Sequence, residues 1–332
     1  MIKIFINGFG RIGRGVARII LEDNRFELVG INDLYSFEQM AQLLKYDSIY
    51  KTFNHEVTIK DDILTVDNKN IRLFNQKEPD KLDIKKLDID IMLQCSGVHL
   101  TIEKNQPYIR EGVKKIVISA PASDEIPTYI YGINHEKYQD EKIISNSSCS
   151  ANAIVPIFDI IQKHFGIKKA FMSMFHSYTA YQKLLDTKHY SKDIRRTRSA
   201  TQNIIPLDSS AAEATSKFFP HLKDKLYAKS IRVPVESCTF YDLSINLSQK
   251  TSHKKIVEIL QKEIQNSTIL NITKEPLVSR DFIQSPYSAT IDLNFTQLLD
   301  GDFLKVSAWQ DNEYGYTKRL LDMALIVATK SL

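Results

Sequence analysis

Two residues have types and settings suited to covalent chemistry. Cys149 follows a short apolar run, Ile143-Ile144-Ser145. It stands among small hydroxyl residues in Asn146-Ser147-Ser148-Cys149-Ser150-Ala151-Asn152. Ile154 to Ile161 behind it is helical in pattern. That sets the thiol at a helix N-terminus, where unpaired N–H groups push it towards thiolate. Against this, a free cysteine is commonly a small buried hydrophobe. His176 ends the strand-like Phe171-Met172-Ser173-Met174-Phe175 and opens Ser177-Tyr178-Thr179. A strand-end histidine can present its ring in a cleft and pair with a thiolate, although a lone histidine is more often structural. Cys95 and Cys238 lie inside apolar strands and read as core. His99, His189 and His253 have no comparable context.

The N-terminus carries a second chemistry. Gly8-Phe9-Gly10-Arg11-Ile12-Gly13 fits G-x-G-x-x-G directly after the apolar strand Lys3 to Ile6. Ile12, Val16, Ile19 and Ile20 then recur at the spacing of one helix face. A further apolar run, Phe26 to Ile31, ends at Asn32-Asp33. Gly8 permits the tight turn, Gly10 lets backbone approach a pyrophosphate, and Gly13 lets helix pack on strand. The helix N-terminus points N–H groups at the phosphates. The Asp33 carboxylate would hold the hydroxyls of the adenine ribose. Strand, helix, second strand and acid in register read as dinucleotide binding; the glycines alone would fit a structural turn in another α/β fold.

These residues need elements to position them. Ile89 to Gln94 and Lys115 to Ser119 are further strands, with a helix from Leu100 to Gly112 between them. Ser96, Gly97 and Ser119 fall at strand ends, where a doubly wound sheet places ligand contacts. After Cys149 the texture changes. Ala170 to Thr179, Tyr227 to Val235, Cys238 to Leu247 and Phe303 to Trp309 read as longer strands, rich in β-branched and aromatic residues. Ser252 to Ile264 and Arg319 to Thr329 read as helices, and Asp186 to Thr201 as a long polar loop. The expected fold is α/β: a Rossmann domain with a doubly wound parallel sheet over residues 1–148, completed by a C-terminal helix over 316–332. An α+β catalytic domain with a mostly antiparallel sheet occupies 149–315.

Composition narrows the classes. With 332 residues, 43% hydrophobic and 25% charged, the chain is of ordinary globular make-up. Lysines and arginines number 44 against 40 acids, a balance of +4 with no basic stripe, which argues against a dedicated nucleic-acid binder. No apolar stretch reaches the roughly 20 residues of a membrane helix, and the start does not read as a signal peptide. Three scattered cysteines suit neither a disulfide framework nor a zinc site. The expectation is a reduced, cytoplasmic protein with no metal.

The motifs together resemble the glyceraldehyde-3-phosphate dehydrogenase family, bacterial phosphorylating type. Ile6 to Arg14 and Ile31-Asn32-Asp33-Leu34 resemble its opening. Ser145 to Asn152 is similar to S-N-A-S-C-T-T-N-C, and His176 to Thr179 to H-[SA]-Y-T. Gln202 to Pro206 and Ile231 to Pro234 match two more motifs, and Trp309 to Tyr316 matches W-Y-D-N-E-x-G-Y. The resemblance implies that Cys149 is the nucleophile and His176 its base, acting on glyceraldehyde 3-phosphate through a thioester that inorganic phosphate releases. It implies NAD bound by Asn7, Gly8, Phe9, Gly10, Arg11, Ile12, Asp33, Ser96, Gly97, Ser119, Asn312 and Tyr316. Thr179 and Arg232 would hold the substrate phosphate, and Ser148, Ser150, Arg198, Ser209 and Ser210 the attacking one. The long loop implies a homotetramer.

The departures are specific. The family's P-x-S-T-G-A-A-K becomes Pro206-Leu207-Asp208-Ser209-Ser210-Ala211-Ala212-Glu213, adding two carboxylates near an anion pocket. Arg195-Arg196-Thr197-Arg198, Asp208 and Phe218-Phe219-Pro220 resemble the sister erythrose-4-phosphate dehydrogenases, in which water completes the reaction. Thr187-Lys188 replaces the Leu-Pro of NAD-specific members, so Lys188 would offset Asp33 and admit NADP. A non-catalytic nucleotide-binding or adhesion protein is the alternative of another class.

Overall fold

The computed structural model describes residues 1–123 and 125–330. The chain divides into two compact units, Met1–Ser148 with the segment from Thr317 onward, and Cys149–Tyr316. Positions 331 and 332 of the expected C-terminal helix lie outside the described residues. Among the described residues no helix is long and apolar enough to cross a membrane.

The first unit is built on an eight-stranded sheet. Its strands are β1 (Ile2–Asn7), β2 (Phe26–Asn32), β3 (Val57–Lys60), β4 (Ile63–Val66), β5 (Lys69–Phe74), β6 (Ile91–Gln94), β7 (Lys115–Ile118) and β8 (Ile143–Ser145). Helices α1 (Arg11–Glu22), α2 (Phe37–Lys45) and α3 (Ile102–Arg110) connect them. The order is β3-β4-β5-β2-β1-β6-β7-β8. Pairs from β5 through β8 are parallel, while β3, β4 and β5 pair antiparallel at one edge. β1, β6 and β7 are near-continuous apolar runs because both faces of a parallel sheet are covered. The chain order reverses around β1, with β2 on one side and β6 on the other, the switch point at which open α/β sheets bind ligands.

The second unit opens with α4 (Cys149–Phe165), whose apolar residues from Ala151 to Phe158 are buried. Its strands are β9 (Ile167–Ser177), β10 (Ile205–Asp208), β11 (Leu226–Val233), β12 (Thr239–Leu247), β13 (Leu270–Thr273), β14 (Ala289–Leu299) and β15 (Phe303–Gln310). Helices α5 (Ala211–Ser216) and α6 (His253–Ile264) lie between strands, and α7 (Tyr314–Lys330) starts here and belongs from Thr317 onward to the first unit. The sheet order is β10-β11-β9-β12-β15-β14-β13, antiparallel except for β11 with β9 and β13 with β14. β12 alternates strictly between buried and half-buried positions, the signature of one packed face. Ser252 caps α6 by accepting from Lys255 N at 3.2 Å.

Candidate active site

In the first unit the glycines divide the work. Gly8 has φ +101°, and a Cβ there would lie 2.4 Å from Ser96 N. A Cβ on Gly13 would lie 2.1 Å from Gly8 O, so only glycine lets α1 start this close to the loop. A Cβ on Gly10 would meet no atom within 4 Å. Gly10 is the N-cap of α1 and provides no side-chain cap. The first-turn amides of α1 have no partner within the helix itself, and the open side of Gly10 lets a phosphate group approach them.

Asp33 ties that loop down. Its carboxylate accepts from Phe9 N, from Leu34 N at 2.6 Å and from Tyr35 N at 3.3 Å. It borders a cleft of about 320 Å³ that Asn7, Gly8 and Ser96 also line. Asn7 spends its side chain on neighbours. Nδ2 donates to Gln94 Oε1 (2.9 Å) and Tyr108 Oη (3.0 Å), and Oδ1 accepts from Asn32 Nδ2 (2.7 Å). Ser96 Oγ donates to Gln94 Oε1 at 3.0 Å and Ser119 Oγ to Gln94 O at 3.1 Å. Gly97 has φ +73°. Phe9 is fully buried and Ile12 half-buried. Arg11 pairs with Asp47 and lies 5.4 Å over the Tyr50 ring. Lys77, His99 and Tyr108 line the same cleft and were not picked out by the sequence reading.

The chain reaches Cys149 through a turn at Ser147, whose φ of +57° is left-handed, with Ser147 N donating to Ser145 Oγ at 3.0 Å. A non-glycine residue held there stores backbone strain, a feature that clusters at functional sites.

In the second unit, strand pairing assembles four segments into one row. Arg232 on β11 is opposite His176 on β9, His176 opposite Thr239 on β12, and Thr239 opposite Gln310 on β15. Directly opposed residues share a face. Gln310 Nε2 then donates to the Cys149 carbonyl at 3.2 Å, joining the row to the start of α4.

His176 is buried, at 5% exposure. Its Nδ1 lies 2.7 Å from Ser177 O. Arg232 Nη1 lies 3.0 Å from the same oxygen and 2.6 Å from Nδ1. The Ser177 carbonyl only accepts and the Arg232 guanidinium only donates, so Nδ1 stands between an acceptor and a donor. Burial, helped by the Arg232 charge, pushes the His176 pKa down to about 3, so the imidazole is neutral. Burial also brings the Arg232 pKa down to about 10, with Cys149 opposing and Arg196 assisting the shift. Arg232 Nε is buried without a partner, a donor held ready for an anion.

The thiol is under opposing influences. Burial pushes Cys149 above its ordinary value. The Arg232 charge, the Ser150 hydroxyl and the N–H groups of Ser150 and Cys149 pull it back only in part.

The remaining expected residues fall into place unevenly. Asn312 Oδ1 accepts from Ser177 Oγ (3.0 Å) and Thr239 Oγ1 (3.4 Å), so its amide nitrogen is the donor on offer. Tyr316 is buried. Thr179 turns to Gln182, with N and Oγ1 both donating to Gln182 Oε1 at 2.8 and 2.9 Å. Ser148 and Ser150 are half-buried beside Cys149. Ser209 Oγ accepts from Ala211 N at 3.2 Å, and Ser210 stands before α5 without capping it. Arg198 is exposed and paired with Asp186 at 2.7 Å, and Lys188 is exposed. Thr239, Gln310 and Gln182 were missed as site residues. Only Gln310 carried a signal, as the glutamine standing where W-Y-D-N-E has tyrosine.

Comparison with known proteins decides the family. Residues 2–102 match the glyceraldehyde 3-phosphate dehydrogenase NAD binding domain, and residues 148–312 match the C-terminal domain of the same enzymes. The chain belongs to the glyceraldehyde-3-phosphate dehydrogenase family. It is 38% identical over 334 residues to glyceraldehyde-3-phosphate dehydrogenase 2 of Streptomyces avermitilis, covering 99% of each chain. It is 39% identical to the Zymomonas mobilis enzyme, with 98% of each covered, and 37% identical to glyceraldehyde-3-phosphate dehydrogenase 2 of Bacillus subtilis, covering 99% of this chain and 97% of that one. This dehydrogenase is thus an NAD-dependent oxidoreductase by family, and the Gly8–Gly13 loop with Asp33 lies inside its NAD-binding match.

Proposed function

We propose that this chain catalyses the phosphorylating oxidation of glyceraldehyde 3-phosphate to 1,3-bisphosphoglycerate with NAD, reversibly, through a thioester on Cys149. The observation that carries the reading is the row from Arg232 through His176 to Gln310, which ends on the Cys149 residue.

Cys149 sulfur adds to the aldehyde carbon while the thiol proton passes to His176 Nε2, and the carbonyl oxygen is protonated in turn. His176 then takes the hydroxyl proton as the carbon gives up a hydride, leaving a thioester. Bound dinucleotide supplies the hydride acceptor. The Cys149 and Ser150 amides, at the start of α4, stabilise the oxyanion. A phosphate oxygen attacks the thioester carbonyl, the C–S bond breaks, and the acyl phosphate leaves with Cys149 restored. Arg232, with its idle Nε, and Thr179 hold the substrate phosphate. Ser148, Ser150, Ser209, Ser210 and Arg198 hold the attacking one, which requires Arg198 to exchange Asp186 for phosphate. Asn312 Nδ2 orients the nicotinamide amide.

Purified enzyme is expected to form NADH from glyceraldehyde 3-phosphate only when inorganic phosphate is added, faster with NAD than with NADP. Lys188, and Lys77 on the wall of the Asp33 cleft, are the cations that would admit NADP. Equal rates with and without phosphate would overturn the phosphorylating reading in favour of the water-completed one.

The working form is a homotetramer. The loop between β9 and β10 exposes Leu184, Leu185, Tyr190 and Ile194, each at least 67% accessible, a set of large apolar side chains within eleven residues that suits a protein contact. A second copy of the chain covers it. Sedimentation should give the mass of four chains, and a monomer at micromolar concentration would sink this part.

A further inference from the structure

We propose that Tyr241 and Gln310 form a positioning clamp on the first turn of α4, holding the Cys149 sulfur and its neighbouring amides where the aldehyde is attacked. The inference rests on the reading of Cys149 as nucleophile and adds two residues to it.

The clamp follows from register. Thr239 is opposite Gln310 and Tyr241 opposite Ala308, so Tyr241 and Gln310 are diagonal neighbours on one sheet face. Both are buried, at 0% and 1% exposure. Tyr241 Oη donates to Gln310 Oε1 at 2.6 Å, and Gln310 Nε2 donates to the Cys149 carbonyl at 3.2 Å. The Ser150 side chain acts on the Tyr241 phenol, opposing the upward push of burial. The start of α4 is thus held by a chain of hydrogen bonds that runs from Tyr241 through Gln310 to the Cys149 carbonyl.

Direction is what the tyrosine supplies. A primary amide has one accepting and one donating end, and only the donating end suits a carbonyl. Tyr241 fixes the accepting end on itself and so turns Nε2 towards Cys149. Without that hydroxyl the amide loses the hydrogen bond that sets its direction. Burial, with the adjacent Cys149, keeps the phenol well above its ordinary value, so it stays a donor throughout the working pH range. The W-Y-D-N-E motif places tyrosine at position 310. Here an amide stands there and the phenol comes from β12, so the two residues operate as a pair. Neither touches substrate in this arrangement; both act through the backbone of α4.

The test compares wild type with Tyr241→Phe, Gln310→Met and the double variant. One readout is kcat and KM for glyceraldehyde 3-phosphate with NAD and phosphate. The other is the pH profile of Cys149 alkylation by iodoacetamide without cofactor. Each single change is expected to lower kcat about tenfold, the scale of one buried hydrogen bond, with KM within about twofold. The alkylation midpoint should move upward as the α4 amides lose their aim. The double variant should be no worse than the poorer single one, because both changes break one chain. Losses that multiply, or single variants with wild-type kcat and alkylation profile, overturn the clamp. If Tyr241→Phe folds poorly, kcat counted per alkylatable Cys149 in Gln310→Met carries the comparison. A wild-type enzyme inactive on the aldehyde would sink the proposed function, while the alkylation arm would still read the clamp.

Discussion

Replacing Cys149 with alanine is expected to lower kcat by about four to six orders of magnitude, the scale seen when a covalent nucleophile is removed, with NAD binding retained. The site leaves no substitute. Burial pushes the Cys95 thiol up to about 12, with a Ser119 hydrogen bond opposing, and pushes Cys238 higher still. Neither supplies thiolate near neutrality, and neither lies on the row that reaches α4. Alanine suits the first turn of a helix that already carries Ala151 and Ala153 in its buried face, so folding should be kept. Serine is not a rescue. A hydroxyl needs a stronger base than a thiol does, and His176, held near a pKa of 3 by burial and Arg232, is a weak one. Initial rates give kcat, and calorimetric titration with NAD gives the retained binding. Activity within a hundredfold of wild type in Cys149→Ala would place the nucleophile elsewhere.

The same residues show which parts of this protein are legible in its sequence. The loop Gly8 to Gly13 could be read because each glycine answers a steric demand that no other residue meets. β9, β11, β12 and β15 could be read because their inward faces are continuous, and each lies within two or three residues of its expected ends. β3 and β4 were missed, being four residues long and half-buried at a sheet edge, with too few apolar positions for a period to register. β14 was hidden by the break in its register between Asp292 and Gln297, where polar residues interrupt the alternation. α2 carried a signal that went unused. Ser36 and Gln39 form a capping box ahead of the helix.

For the site, residue type identified Cys149 and His176, but their settings came only from pairing. Nothing local in the sequence says that His176 will sit opposite Thr239, or that Thr239 will sit opposite Gln310 across the next strand. A helix N-terminus is visible in the chain, whereas the burial that opposes it at Cys149 is a property of the fold. Charge was legible as composition but not as pairing. Arg198 and Arg232 look alike in the sequence, yet Arg198 is satisfied by Asp186 at the surface while Arg232 keeps a buried N–H unspent.

Two glycines three residues apart should respond to alanine in opposite ways. Gly13→Ala places a methyl 2.1 Å from Gly8 O, a backbone atom that cannot swing aside. Either α1 lifts from β1 or the loop opens. Both disturb the packing of Val16, Ile19 and Ile20 against the sheet. The expected cost is about 3 kcal/mol or more, at the upper end of overpacking in a close-packed core. Part of the population would be unfolded or insoluble at growth temperature. Gly10→Ala is different. Its φ of −71° is ordinary for any residue, and its methyl meets nothing within 4 Å. Stability should be unchanged within about 0.5 kcal/mol, as for a substitution that touches no buried feature. NAD affinity should nonetheless fall at least tenfold, because the methyl occupies the space in which the pyrophosphate must approach the α1 amides. Thermal melting and NAD titration on both variants separate the effects. A Gly10→Ala enzyme that melts normally and binds NAD as tightly as wild type would mean that the phosphates do not lie over this turn, and the reading of the loop would fail there rather than at Asp33.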